Sequence, residues 1–307
     1  MASQPPPPPP PDAATPTRYG HSGEIYLCIA SLLRFAPWLG RIWIVTDDQE
    51  PDFLDDFRLD GPEPKPDIRL VDHRDIFRDH FEHLPTFNSL SIETMIWNID
   101  GMAERFIYLN DDFFLNAPVL PNTFFHGDKP VVRARRQGSE LTVLKNEVSA
   151  MKARLGLEQV AKRVKYRSGQ DLAARTAGLR FWYYLVNHLP HPMRKSTLKN
   201  FYAENPQILA RQIAHRFRHR EQFTPWSLAY HLEIKAKTAV LHPEEVPFSP
   251  HTRTPDLSDL DRDDVRFGCA QSMDEWPENL RKEFKARMVN NLGDSLPASA
   301  RVMLTAK

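Results

Sequence analysis

The stretch RFIYLNDDFFLNAPV, Arg105 to Val119, decides how the chain reads. Phe106, Ile107, Tyr108 and Leu109 form a short apolar run of the kind that makes a buried strand. That run meets Asn110, Asp111 and Asp112 without a break, and apolar residues resume at Phe113, Phe114 and Leu115. Ionised carboxylates do not sit in a dry interior alone, because desolvating them costs several kcal/mol or more. The pair therefore calls for a partner. An arginine or a helix N-terminus would make it an acidic turn, and a divalent cation would make it a site.

The segments on either side supply the frame. RIWIVTDD (Arg41–Asp48) is apolar, β-branched and closed by two acids, which predicts a central strand, and DIRLVDH (Asp67–His73) repeats the pattern. FNSLSIETMIWNI (Phe87–Ile99) predicts a helix with Asn88 or Ser89 at its start and Glu93 in its first turns, broken by Asp100-Gly101. PVVRARR (Pro130–Arg136) is a further strand. Nearer the N-terminus, Ser22 stands where it would cap a helix with Ile25, Ile29, Leu32 and Leu33 on one face, ended by Ala36-Pro37. This alternation predicts an α/β fold, a parallel or mixed sheet flanked by helices, with a mostly helical second half. Ligands of such sheets bind beyond the carboxyl ends of the strands, where Asp47, Asp48, Asp111 and Asp112 all fall.

The second half is basic. Lys145, Lys152, Arg154, Lys162, Arg163, Lys165 and Arg167 form one block, most simply solvated helix faces, and Arg211, Arg216, Arg218 and Arg220 form another with His215 and His219 between them. NHLPHPMRKS (Asn187–Ser196) sets His188 and His191 ahead of a proline-marked turn into a helix. A histidine pair at that spacing is a weak metal signal without a third ligand. Pro243 to Asp264 reads as a long surface loop, DVRFGCAQ (Asp264–Gln271) as the last strand, and Trp276–Leu292 as a closing amphipathic helix. The proline run Pro5–Pro11 is extended, either a ligand for a proline-reading module or a disordered leader, and stands outside the fold.

Composition narrows the function classes. Forty basic and forty acidic residues in 307 give a formal net charge of zero, so no global field favours nucleic acid or an anionic membrane. Two cysteines, Cys28 and Cys269, make no disulfide framework. No apolar run is long enough to span a bilayer and no signal peptide is legible, so the sequence predicts a cytoplasmic protein, soluble or peripheral at the inner membrane face.

The segment APWLGRIWIVTDDQ, then VDHRDIF, then LPTFNSLSIETMIWNIDGMAERFIYLNDDFFLNAPV closely resembles the second conserved region of the Stealth family. That family covers bacterial capsule and exopolysaccharide sugar-phosphate transferases, and lysosomal N-acetylglucosamine-1-phosphotransferase is similar. NHLPHPMRKSTLKNF, continuing to HRFRHREQFTPWSLAYHL, resembles the third region. The resemblance implies a nucleotide-sugar-transferase-like fold that moves a sugar 1-phosphate from a UDP-sugar to a hydroxyl of an oligo- or polysaccharide acceptor, releasing UMP. It implies Mg²⁺ or Mn²⁺ on Asp111 and Asp112, with Asp112 also catalytic. Glu93 would ligate the metal or polarise the acceptor, His188 would be the base and Arg218 the phosphate clamp. Asn88, Ser89, Asn110 and Arg194 would bind substrate.

On this reading the chain divides into residues 1–17 (leader), 18–139 (nucleotide-sugar and metal part), 140–240 (helical basic part) and 241–307 (loop, strand and closing helix). The chain departs from the family pattern in two ways. The first region, a strand ending in a Trp-Val-Asp/Asn-Gly turn, has only the proline-rich leader in its place, which predicts an open sheet edge near Arg41–Thr46. The fourth region, ordinarily Cys-x-Asn-Asp, reads Cys269-Ala270-Gln271-Ser272. A glycosyltransferase that releases UDP and a non-catalytic sugar- or partner-binding protein are the two competing expectations.

Overall fold

A computed structural model describes residues 22–61, 63–139, 151, 165–248 and 254–306. The chain runs through α1 (Glu24–Phe35), β1 (Arg41–Thr46), α2 (Leu54–Leu59), β2 (Asp67–Asp72), α3 (His73–Phe77) and α4 (Ser89–Met95). It continues with β3 (Arg105–Tyr108), β4 (Phe113–Leu115), α5 (Pro121–Phe124), β5 (Phe125–His126), β6 (Lys129–Arg133) and β7 (Arg135–Gly138). Then come α6 (Tyr166–Thr176), β8 (Trp182–Leu185), β9 (His191–Arg194), α7 (Lys195–Glu204), α8 (Pro206–Ile213) and α9 (Pro225–Ala236). The described part closes with β10 (Val240–His242), β11 (Phe267–Cys269), α10 (Glu278–Leu292) and α11 (Ala298–Thr305).

β1 and β3 run between two apolar cores, and period-2 alternation sends their side chains into both. Ile42 and Ile44 of β1 join Leu27, Leu32, Phe284, Met288 and Leu304 in the first core, while Trp43 and Val45 pack against the second core of Phe77, Met95, Met193, Leu198 and Trp226. In the same way Ile107 and Leu109 face the first core, whereas Phe106 and Tyr108 face the second. The residues that follow β3 therefore emerge where the two cores meet.

β1 pairs parallel with β2 in the register Ile42↔Ile68 and Ile44↔Leu70. β3 pairs antiparallel with β9, Tyr108 opposite His191 and Arg105 opposite Arg194. β4 pairs antiparallel with β11, β6 pairs with β5 and β10, and β7 pairs with β8. The architecture is a mixed α/β arrangement of small sheets rather than one continuous sheet among the described residues. β1 is central by packing, but its hydrogen-bonded neighbour there is β2 alone.

Two glycines permit contacts that fix this arrangement. Gly268 of β11 lies opposite Phe114, whose ring crosses it so closely that a Cβ would come within 2.1 Å of Cζ. Gly23 precedes α1 at φ +97°, and a Cβ there would meet Leu304 of α11 at 2.5 Å.

Several sequence expectations need correction. Gly23, not Ser22, precedes α1; the Ser22 amide instead donates to Glu24 Oε2 at 2.6 Å. His191–Arg194 is a strand, not a turn, and β8 is a second strand in the half expected to be helical. A proline and two basic residues disguise β9, which is held by β3 on one side and by packing on the other. The segment from Pro243 is no simple surface loop: Phe248, Leu257 and Leu260 are buried, and Arg133 and Arg266 both grip Glu245. The expected closing helix is followed by α11. The proline run and the basic residues Lys145, Lys152, Arg154, Lys162 and Arg163 lie outside the described residues.

Candidate active site

The β3–β4 turn places the aspartates. The Phe113 amide donates to Asn110 O at 3.1 Å, which closes the turn, and the Ala270 amide donates to Asp112 O at 2.8 Å, which ties it to the end of β11. Cys269 opposes Phe113 in the ladder, so its thiol reaches Asp112 Oδ2 at 3.6 Å. Asp112 Oδ1 is sealed from solvent with no hydrogen-bond partner among the described residues. Burial pushes the Asp112 carboxyl up to about 7, helped by the neighbouring charge of Asp111 and, more weakly, Glu24. Asp111 is exposed beside it. The turn after β11, Gln271-Ser272, adjoins this pair and carries no carboxylate, with Ser272 in the left-handed region at φ 52°.

Glu93 reaches the same place from α4. Asn88 caps that helix, its Oδ1 accepting from the Leu90 amide at 3.2 Å, and Glu93 follows on the buried face. Its side chain is 7% exposed and Oε2 is unpartnered among the described residues. Burial raises its carboxyl to about 7, offset in part by Arg218 and by the Ser89 and Tyr108 hydroxyls. Arg218 lies across the helix start, donating to Ser89 Oγ from Nη2 at 2.6 Å and from Nε at 3.2 Å. Tyr108 stands between the acids: its hydroxyl donates to Asn110 Oδ1 at 2.5 Å. Its pKa is driven far upward by burial first, then by Glu93 and Asp111, against the opposing pull of Arg218.

His188 enters from the loop before β9. Its ring stacks on Tyr166 at 4.4 Å and meets Phe113 edge-on at 6.1 Å. The Tyr166 hydroxyl donates to Val186 O at 2.6 Å, so the stacking partner is itself fixed. His191 behind it is buried, stacked on Trp226 at 3.9 Å, and held neutral by burial and by the nearby His188.

The geometry thus brings together Glu93, Asp111, Asp112, His188, Arg218, Ser89 and Asn110. Asn88 is spent on structure: beyond its cap, Nδ2 donates to His215 O at 2.8 Å and to Gln222 Oε1 at 2.9 Å, which fastens the Arg218 loop to α4. Arg194 is set apart at the far end of the β3–β9 ladder, where its guanidinium holds buried Glu233 through two bonds of 2.8 and 2.9 Å. Asp47 and Asp48 also serve a turn, the first facing His73 Nδ1 at 3.7 Å and the second donating its amide to Asp72 Oδ2 at 2.6 Å.

Sequence reasoning missed three participants. Glu24, in the first turn of α1, adds a fourth carboxylate whose own pKa is raised by burial and by Asp111 and lowered by Lys285. Tyr108 reads as part of an apolar strand, Tyr166 carries no motif of its own, and only the tertiary pairing marks them. Among the described residues, two clusters with three metal-ligating side chains stand elsewhere, His80–Glu82–His83 and His215–His219–Glu221. No helix among the described residues is long and apolar enough to cross a membrane.

Residues 18–132 match the model for Stealth protein CR2, conserved region 2. The chain is 32% identical over 280 residues to an exopolysaccharide phosphotransferase of Streptomyces coelicolor, covering 89% of this chain and 48% of that protein. It is 34% identical over 214 residues to a second exopolysaccharide phosphotransferase of that organism, covering 70% of this chain and 21% of the relative. The capsular polysaccharide phosphotransferase WcwK of Streptococcus pneumoniae is 29% identical over 290 residues, 85% of this chain and 81% of its own length. The chain therefore spans about half of the first of these relatives and about a fifth of the second. On that match and these relatives, the chain belongs to the Stealth family.

Proposed function

We propose that the chain is the transferase part of a Stealth-type phosphotransferase acting in capsular or exopolysaccharide synthesis. It moves a sugar 1-phosphate from a UDP-sugar to a hydroxyl of an oligo- or polysaccharide acceptor, on a nucleotide-sugar-transferase-like scaffold. The acceptor oxygen bonds to the β-phosphorus, the bridging oxygen leaves with UMP, and the acceptor proton passes to a base. The observation that carries this reading is the convergence of two buried carboxylates with orphaned oxygens, Asp112 Oδ1 and Glu93 Oε2, beside an arginine held on a hydroxyl.

Those orphaned oxygens fit a hard divalent cation, Mg²⁺ or Mn²⁺, since carboxylate oxygen is its preferred ligand. Asp111 and Asp112 would hold it, with Glu93 and Glu24 adding to the negative field. When bound it supplies positive charge against the diphosphate. Arg218 grips phosphoryl oxygen through its paired N–H groups, and Ser89 fixes the guanidinium until donor arrives. His188, its ring oriented by Tyr166 and Phe113, takes the acceptor proton. Asn110 and Ser89 orient substrate at the turn and the helix start. Tyr108 stays protonated and donates to Asn110, which keeps that amide's orientation fixed.

Calorimetric titration of a UDP-hexose in Mn²⁺ tests the assignment. Arg218→Ala is expected to weaken the donor complex by about 1.5–3 kcal/mol, the worth of a hydrogen bond to a charged group. His188→Ala is expected to leave it unchanged while abolishing turnover. Equal donor affinity in wild type and Arg218→Ala would remove the clamp.

A further inference from the structure

The loop 214–222 between α8 and α9 carries more than Arg218. His215, His219 and Glu221 each offer one donor atom there, and the three atoms lie within 4.8 Å of one another. The two imidazoles stack at 4.2 Å with planes 13° apart, and His219 Nδ1 faces Glu221 Oε2 at 3.9 Å. The only competing contact given to His219 Nδ1 among the described residues is a 3.4 Å bond from the Glu221 amide, a long one that a cation would displace.

The loop backbone beneath these rings is built rather than incidental. His215 O accepts from Asn88 Nδ2 at 2.8 Å and Ser91 Oγ at 3.2 Å, and the His219 amide donates to Gln222 Oε1 at 2.8 Å. Gln222 Nε2 donates in turn to Gln212 O at 2.8 Å. Asn88, Ser91, Gln212 and Gln222 are all buried, so the positions from which both rings project are set by satisfied interior polar groups. That is the support a metal site requires, because loosely held ligands forfeit affinity. Two neighbouring cations face elsewhere: Arg216 lies over the Phe87 ring at 5.1 Å and Arg218 donates to Ser89.

We propose that His215, His219 and Glu221 bind a borderline divalent cation of the Zn²⁺ class, at a site distinct from the Asp111–Asp112 pair. Two imidazoles and one carboxylate make a donor set suited to Zn²⁺ and poor for Mg²⁺. Tetrahedral zinc needs ligand atoms about 3.3 Å apart, given bonds of about 2.0–2.1 Å, so binding requires side-chain rotations that draw the donor atoms in from within 4.8 Å. His219 and Glu221 keep side-chain exposures of 38% and 59%, which leaves the remaining coordination positions open to water. The cation would cross-brace the loop that carries Arg218, and the binding claim stands independently of the transfer reaction.

The test is calorimetric titration of the chelator-stripped full chain with ZnCl₂ in excess Mg²⁺, with Co²⁺ absorption as a second readout of imidazole ligation. One saturable Zn²⁺ site is expected in wild type. Binding should be lost in His219→Ala and weakened at least about tenfold in Glu221→Gln, by the scale of damage to a ligand set. His83→Ala, in the cluster on the 3₁₀ segment Arg78–His83 that buries no residue, and Asp112→Asn are expected to bind as wild type. Glu221→Gln alters an exposed side chain and keeps the fold, so it decides the matter should His219→Ala unfold. Absence of Zn²⁺ binding in wild type would overturn the proposal. So would binding that survives both substitutions, or that disappears in His83→Ala or Asp112→Asn instead.

Discussion

Replacing Asp112 by asparagine should stabilise the metal-free protein while destroying its cation site. In the folded chain the Asp112 carboxyl titrates near pH 7, pushed there mainly by burial, whereas an unfolded aspartate titrates near 3.9. A raised acid pKa means the folded state holds its proton longer than the unfolded state does. Stability therefore falls as pH rises from about 4 to about 7, and the full cost applies above that. Three pKa units at about 1.36 kcal/mol each set an upper bound of about 4 kcal/mol, and partial solvent access reduces the expected gain to about 2–3 kcal/mol. Urea unfolding in EDTA at pH 8 is expected to show Asp112→Asn more stable by that amount, with no gain at pH 4. Adding Mn²⁺ should raise the stability of wild type and leave the variant unmoved. A variant less stable than wild type at pH 8 in EDTA would refute the reasoning. It would mean that a protein cation already neutralises Asp112.

Arg194→Ala should cost about 3 kcal/mol of stability by stranding buried Glu233, while Mn²⁺-dependent donor affinity per folded molecule stays at the wild-type value in the same titration. Asn88→Ala removes a helix cap and unties the 214–222 loop, for an expected loss of about 2–3 kcal/mol in chemical denaturation, accompanied by weaker donor binding because Arg218 is no longer held over Ser89. His231 is buried, accepts the Tyr184 amide at Nε2 and donates from Nδ1 to Ser227 O, and burial lowers its pKa to about 4. Stability from this group is complete above about pH 6.5 and drains as pH falls towards 4, by up to about 3 kcal/mol. A His231→Gln variant should show a flatter acid limb in pH-dependent unfolding.

The parts of the fold that repeat a simple pattern were legible in the sequence. β1, β2 and α4 follow from apolar periodicity, and the β3–β4 turn announced itself as acids set in an apolar run. The hidden parts depend on distant pairing. His191–Arg194 carries Pro192 and charged ends, and becomes a strand because β3 lies beside it. Phe248 stands in a stretch rich in proline and polar residues, yet it fills the space between Phe114 and Phe284. At the site, the residues that a motif names fell together when their elements met at the two-core junction. Arg194 and Asn88 did not join them, because Glu233 and the 214–222 loop compete successfully for their polar groups. Glu24 had no local signature, since an acid in the first turn of a helix is ordinary.

The nucleotide released from a UDP-sugar by the full chain with Mn²⁺ and a polysaccharide acceptor tests the central claim most directly. Phosphoryl transfer predicts UMP in step with a new sugar–phosphate diester seen by ³¹P resonance, and no UMP from Asp112→Asn. Release of UDP with a glycosidic product would contradict it.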